Sequence, residues 1–276
     1  MKTGERKLGY YLRFPFMAIW GALATGEYWS KVLRSEFDMK SGHMKQGTGF
    51  LRVKTYQGIF NIKNRTSDLV FVSPAFEYFD TKSLIQKIKN DLINTTKKII
   101  FIDMGASFGK YSIILGNYFK SFKNRLEIYA FEPNDFLYDL LRKNVRENNL
   151  KIKTFNIAIG KRKGKIKLFS DLEYGFYIDY PNNTAPTSVP VNKLDNFIKA
   201  DKNVNIYAKL DIEGGELDAL KGASEIFKSA NKSVLLIEDA NMSTNKPLLS
   251  YLNKHFKFIE KLGYQNSFWG MLPNRV

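Results

Sequence analysis

The chain has 276 residues, 44% of them hydrophobic and 25% charged, the balance of a folded globular protein and not of a disordered one. It contains no cysteine, which excludes disulfides, thiolate zinc sites and cysteine nucleophiles, and its two histidines, His43 and His255, stand too far apart in sequence to suggest a histidine-rich metal site. The net charge of +16 excludes little: nucleic acid, anionic lipid and acidic substrates all suit a cationic surface, and A+T-rich coding also yields such lysine-rich chains.

Leu8 to Leu33 reads LGYYLRFPFMAIWGALATGEYWSKVL and follows Lys2, Arg6 and Lys7. Its uninterrupted apolar run, Phe14 to Ala24, is bracketed by Arg13 and Glu27 and falls short of the about 20 residues that a membrane span needs. Two readings remain open. One is an amphipathic anchor in the membrane interface, where Trp20, Tyr28 and Trp29 suit the headgroup boundary. The other is a helix packed on the domain that follows. From Gly49 to Val72 the runs FLRVKTY, GIFNIKN and DLVFV predict β structure, with Gly58 at a hairpin turn. Thr81 to Ile93 carries apolar residues at helical spacing, with Asp80 or Thr81 as N-cap. The expected organisation is residues 1–48 as an aromatic and basic segment, 49–80 as a small β extension, and 81–276 as the main domain.

After Lys98 strands and helices alternate. IIFID, LEIYAFE, IKTFNIAI, NIYAKLD and SVLLIED read as strands; Tyr111 to Phe122, Asp135 to Asn148 and Glu216 to Ser229 read as helices. A β-ribbon turns at Gly164. Repeated βαβ units predict an α/β fold with a mostly parallel sheet and a ligand outside the carboxyl ends of its strands.

Three constellations carry chemistry. Asp103-Met-Gly105-Ala106-Ser-Phe-Gly109 follows strand IIFI and opens a helix, so its glycines let backbone approach a ligand beside unpaired helix amides. The spacing is neither that of a dinucleotide GxGxxG nor that of a Walker loop, and a plain strand-to-helix turn reads the same way. Glu132 ends the next strand and Pro133 stops it, which places a two-oxygen acceptor, suited to the vicinal hydroxyls of a ribose, beside that turn. Lys209-Leu-Asp211-Ile-Glu213-Gly-Gly-Glu216 lies where a strand meets a helix; Asp211 and Glu213 are the catalytic candidates, although Asp211 could simply cap and Glu216 could complement the helix dipole. Glu238 and Asp239 end the following strand and complete an acidic rim that, with Asp211, could hold Mg²⁺ through oxygen ligands.

DMGASFGKYS, FEPNDFLYDLLRKNVRENN, FNIAIGKRKGKIKLF, VPVNKLDNF and KLDIEGGELDALKG resemble, in order and spacing, the FkbM-type methyltransferases, over about Thr81 to Pro273. The resemblance implies a Rossmann-like, mostly parallel seven-stranded sheet with a final antiparallel hairpin, FKFIEKLGY and SFWGML here. It implies S-adenosylmethionine as cofactor and O-methylation, typically of sugar hydroxyls in glycans or natural products. Asp103, Gly105 and Gly109, with Ala106, would hold the methionine part; Glu132, with Pro133, the ribose; Asn156 and Ala158 would lie near the adenine. Asp211 and Glu213 match the family's Lys-x-Asp-x-Glu-Gly acids. This chain has Asp239-Ala240-Asn241 where many members have a histidine, which puts a histidine-based mechanism in doubt.

The expected function is therefore an O-methyltransferase acting on a glycan or lipid-linked sugar, in the cytoplasm or peripherally on the inner face of the membrane through residues 1–33. The alternative enzyme is an RNA ribose methyltransferase, motivated by ten basic residues from Arg142 to Lys167. A third reading is a non-catalytic membrane-associated module, which would bind no S-adenosylmethionine.

Overall fold

The computed structural model describes residues 37–38, 43–44, 50–63, 68–74, 76–171, 175–177, 186–212, 214–238, 245–256, 258–262 and 267–272. The aromatic segment from Leu8 to Leu33 lies outside the described residues. The chain divides into two compact units between Tyr78 and Phe79. Among the described residues no helix is long and apolar enough to cross a membrane.

In the first unit β1 (Phe37–Asp38) pairs with β2 (His43–Met44), and β3 (Phe50–Lys54) pairs antiparallel with β4 (Ile59–Lys63). The β3–β4 turn closes through the Thr55 amide, which donates to the Gly58 carbonyl at 2.9 Å. Val53, Phe60 and Ile62 are the hairpin's buried apolar side chains. The run DLVFV, expected as a strand, is instead a short helix, α1 (Asp68–Phe71), in which the Val72 amide returns to the Asp68 carbonyl. Apolar runs this short do not separate strand from helix by periodicity.

The second unit opens with α2 (Tyr78–Asn94). It begins before Asp80 and Thr81, which are buried inside the helix and do not cap it. Leu84, Ile88 and Leu92 recur every four residues and bury one stripe in a cluster with Phe101, Tyr207 and Leu236. There follow β5 (Lys98–Met104), α3 (Lys110–Tyr118), β6 (Leu126–Phe131), α4 (Asp135–Glu147), β7 (Ile152–Phe155) and β8 (Ala158–Ile159). Then come β9 (Gly164–Asp171), β10 (Gly175–Tyr177), β11 (Thr187–Asn192), β12 (Val204–Leu210), α5 (Glu216–Gly222) and α6 (Ser224–Ser229). β13 (Lys232–Glu238), α7 (Lys246–His255), β14 (Phe258–Leu262) and β15 (Ser267–Leu272) complete the unit.

The main sheet has the order β14-β15-β13-β12-β5-β6-β7. β13, β12, β5, β6 and β7 are parallel, and β15 and β14 form an antiparallel hairpin against β13. β5 and β12 are near-continuous apolar runs because both faces of a parallel sheet are covered. The chain runs from β5 outward to β7 and then returns to the other side of β5 as β12, so the strand order reverses between β5 and β12. A reversal of this kind leaves a crevice at the carboxyl ends.

Two expected elements are broken. IKTFNIAI divides at Asn156 and Ile157: β7 continues the main sheet, whereas β8 pairs with β11 in a second sheet of order β10-β9-β11-β8. The helix expected from Glu216 to Ser229 divides at Ala223 into α5 and α6. Gly222 ends α5 so close to the turn after β8 that a Cβ there would stand 2.0 Å from the Gly160 carbonyl oxygen. The Asp195 carboxylate then caps α6, accepting from the Glu225 and Ile226 amides.

Candidate active site

The turn after β5 is strapped to the end of β6. The Gly105 and Ala106 amides share the Phe131 carbonyl at 3.0 Å each, and the Gly109 amide closes on the Ala106 carbonyl at 2.8 Å. Gly105, Ser107 and Gly109 all have left-handed backbone, with φ of 80°, 51° and 93°. Serine pays about 1–2 kcal/mol there, and its amide in that conformation meets Glu132.

Glycine at 105 is required by a backbone contact as well as by any ligand: a Cβ there would stand 1.8 Å from the Asp211 carbonyl oxygen. The Asp211 amide in turn donates to the Met104 carbonyl at 3.1 Å, so the ends of β5 and β12 are locked together. At Gly109 a Cβ would stand 2.6 Å from Leu141 of α4. Asn144 of α4, fully buried, donates to the Phe108 carbonyl at 2.8 Å and fixes the far side of the turn.

Glu132 directly follows β6 and is 5% exposed. Its Oε2 accepts from the Ser107 amide at 2.8 Å and its Oε1 from the Asn134 amide at 2.9 Å. Asn134 then caps α4 through the Leu137 amide. Burial, helped by the charges of Asp103 and Asp211, pushes the Glu132 carboxyl up to about 7 against the pull of these two amides. Each oxygen keeps a lone pair beyond its amide bond. Two such acceptors fit two vicinal hydroxyls.

Asp103 does not face the turn's interior as a free acid. Its Oδ2 accepts from the Ser112 hydroxyl at 2.6 Å and the Ser112 amide at 3.1 Å. Burial raises its carboxyl, Lys209 and Ser112 lower it, and Asp211 raises it. Asp211 follows β12 with its side chain 28% exposed, and its Oδ2 lies 2.5 Å from the buried Nζ of Lys209. Glu238 ends the adjacent β13. Glu213 and Asp239 lie outside the described residues, and no group of three acids or histidines fit to hold a metal ion occurs among those described.

Asn156 follows β7 and donates to Asp135 Oδ1 at 2.7 Å. Phe155, partly buried, stacks on Phe131 with ring centroids 4.9 Å apart and meets the edge of Phe197 at 5.2 Å. A flat aromatic ligand can use such a face. Pro133 is half-buried beside it, and Ala158 is buried at the start of β8. Sequence reasoning passed over Ser107, Phe155 and Lys209. Of these only Lys209 left a signal, a lysine inside the otherwise apolar strand NIYAKLD.

The parallel sheet with its reversal, the acid-and-glycine turn and the buried acid ending the neighbouring strand define a Rossmann-like methyltransferase that depends on S-adenosylmethionine. The profile described as Methyltransferase FkbM domain matches residues 103–265, more than half of the chain, and the chain belongs to that family. No curated protein matches the sequence significantly. Among solved structures it is similar to TYW2 of P. horikoshii in complex with MeSAdo, at 10% identity over 89% of this chain and 79% of that one, with a TM-score of 0.47. It is also similar to TYW2 of M. jannaschii in complex with AdoMet, at 14% identity over 83% and 86%, with a TM-score of 0.40. A third is the Pyrococcus abyssi tRNA (uracil-54, C5)-methyltransferase in complex with S-adenosyl-L-homocysteine, at 16% identity, 87% of this chain and a TM-score of 0.43. The chain spans about half of that enzyme, 49%.

Proposed function

We propose that the protein methylates a hydroxyl oxygen of a saccharide, in a glycan or a lipid-linked sugar. The observation that carries this reading is the position of Asp211: a partly exposed carboxylate whose backbone lies against the glycine turn. The cofactor supplies an electrophilic methyl group on a sulfonium sulfur. The chain's own residues then have two tasks, alignment and removal of the acceptor's proton. Glu132 and the turn from Gly105 to Gly109 hold the ribose and methionine parts, the Phe155 face receives the adenine, and Asp211 accepts the hydroxyl proton.

The acceptor class rests on the family resemblance and on chemistry. A chain without cysteine lacks the nucleophile that cytosine-carbon methylation uses, and Asp211-Ile-Glu-Gly stands where base-amine methyltransferases carry an Asn/Asp-Pro-Pro-Tyr/Phe turn. RNA ribose methylation is the second reading, favoured by exposed Arg142, Lys143 and Arg146 on α4; of the same basic stretch, Lys153 and Lys161 are paired with Glu127 and Asp218. Residues 1–33 would hold the enzyme at an anionic membrane, which loss of liposome binding on their deletion tests. Mass spectrometry of surface glycans from cells with and without the gene tests the acceptor. A sugar heavier by one methylene only when the gene is present is expected, and identical glycans with undermethylated RNA would overturn the saccharide reading.

A further inference from the structure

We infer that Lys209, paired with Asp211 and facing Asp103, sets how strongly the site prefers the cationic cofactor over its neutral thioether product. Register pairs Lys209 of β12 with Asp103 of β5, and side chains paired across neighbouring strands share one face of a sheet. Asp211, two residues on, returns to that face and meets the Lys209 ammonium at 2.5 Å. Lys209 and Asp103 are 4% and 1% exposed, and the ammonium also lies 5.0 Å from the centre of the Tyr111 ring. Even paired, an ammonium at this depth costs desolvation, and a methionine would fill the same space without that cost. The charge therefore calls for a role beyond packing.

The three acids at the turn share one field. Asp103 responds to both Lys209 and Asp211, and Glu132 responds to both Asp103 and Asp211. Lys110, the other buried lysine among the described residues, adjoins the Tyr111 ring at 5.7 Å and figures in neither response. With all three ionised, Asp103, Glu132 and Asp211 outnumber the two buried lysines, Lys209 and Lys110, and leave the turn negative. S-adenosylmethionine and S-adenosylhomocysteine share adenosine and a zwitterionic amino acid; they differ by a methyl group and by the positive charge on sulfur. The ratio of their affinities cancels the shared contacts and reads the field at the sulfur. A negative field favours the sulfonium, and Lys209 limits the excess.

The inference rests on the cofactor placement proposed above but needs no acceptor, so failure of the saccharide reading leaves it standing. Calorimetric titrations of the full chain with each of the two compounds, at about pH 8.5 and so above the Glu132 value of about 7, test it. Lys209→Met should raise the ratio of the S-adenosylhomocysteine Kd to the S-adenosylmethionine Kd about fivefold or more, Lys209→Arg should leave it unchanged, and Asp211→Asn should lower it. Ratios within about twofold of wild type in both Lys209→Met and Asp211→Asn, or shifts of the opposite sign, overturn it. Circular dichroism melts show whether each variant folds. Should Lys209→Met fail to fold, the partly exposed Asp211→Asn decides alone: a lowered ratio supports the inference and an unchanged one overturns it. Glu132→Gln tests the placement. If both affinities keep their wild-type values in it, placement and inference fall together; if both weaken while Lys209→Met and Asp211→Asn keep the wild-type ratio, only the inference falls.

Discussion

The backbone of Gly105 lies so close to that of Asp211 that a Cβ on residue 105 would stand 1.8 Å from the Asp211 carbonyl oxygen. The glycine that opens the cofactor turn is thus also the contact that sets the candidate base beside that turn. Gly105→Ala should cost about 2–4 kcal/mol of unfolding free energy, from the left-handed φ and from separation of β5 and β12. Urea denaturation without cofactor measures it. Lost cofactor binding at wild-type stability would leave Gly105 only the role of making room for a ligand.

Glu132 predicts a pH dependence. Its folded carboxyl titrates near 7, above the ordinary 4.5. Between these values the folded state holds a proton that the unfolded state has released, so stability is full below about 4.5 and falls as pH rises through about 7. The loss amounts to about 3 kcal/mol. Glu132→Gln keeps the shape without the charge. Its stability relative to wild type should rise by that amount across the same window in cofactor-free denaturation series, and parallel curves would refute the assignment.

Asp211→Asn keeps the volume of the side chain and removes its basicity. Transfer of labelled methyl groups to a glycan extract from cells lacking the gene should fall about 10²–10⁴-fold. Affinity for S-adenosylmethionine should drop by no more than about tenfold. A variant that retains most of the wild-type rate would pass the role of base to Glu213.

Far from the turn, Asp91 joins α2 to two strands. Its Oδ2 accepts from Asn205 and Tyr207 at 2.8 Å each, and its Oδ1 lies 2.6 Å from Lys232 Nζ. Burial and the Asp91 charge raise the Tyr207 hydroxyl far above its ordinary range, so it stays a donor. Asp91→Ala removes the acceptor of Asn205 and Lys232, leaves the Tyr207 hydroxyl only the Lys87 carbonyl at 3.0 Å, and should cost about 3–5 kcal/mol, whereas Tyr207→Phe should cost about 1–2 kcal/mol. In an Asp91→Ala background Tyr207→Phe should cost less than it does alone, because only the Lys87 bond remains to be lost, a coupling that a double-mutant cycle in urea reads directly.

Local pattern was enough for the α/β alternation after Lys98, for the acid-and-glycine turn and for the acid at the end of the next strand. Each is written in adjacent residues, through apolar periodicity or through a residue type that only a turn needs. IKTFNIAI, by contrast, is one strand by propensity and two by partner, because β6 captures its first half and β11 its second. Glu132 reads as a free acceptor until the Ser107 and Asn134 amides are brought to it. Gly105 reads only as space for a ligand until Asp211 is packed against it. Lys209 is an oddity in an apolar strand until parallel register sets it beside Asp103. Periodicity reports which face of an element is buried; which group meets which across that face is decided by register and close packing, where a fraction of an ångström separates a contact from a clash.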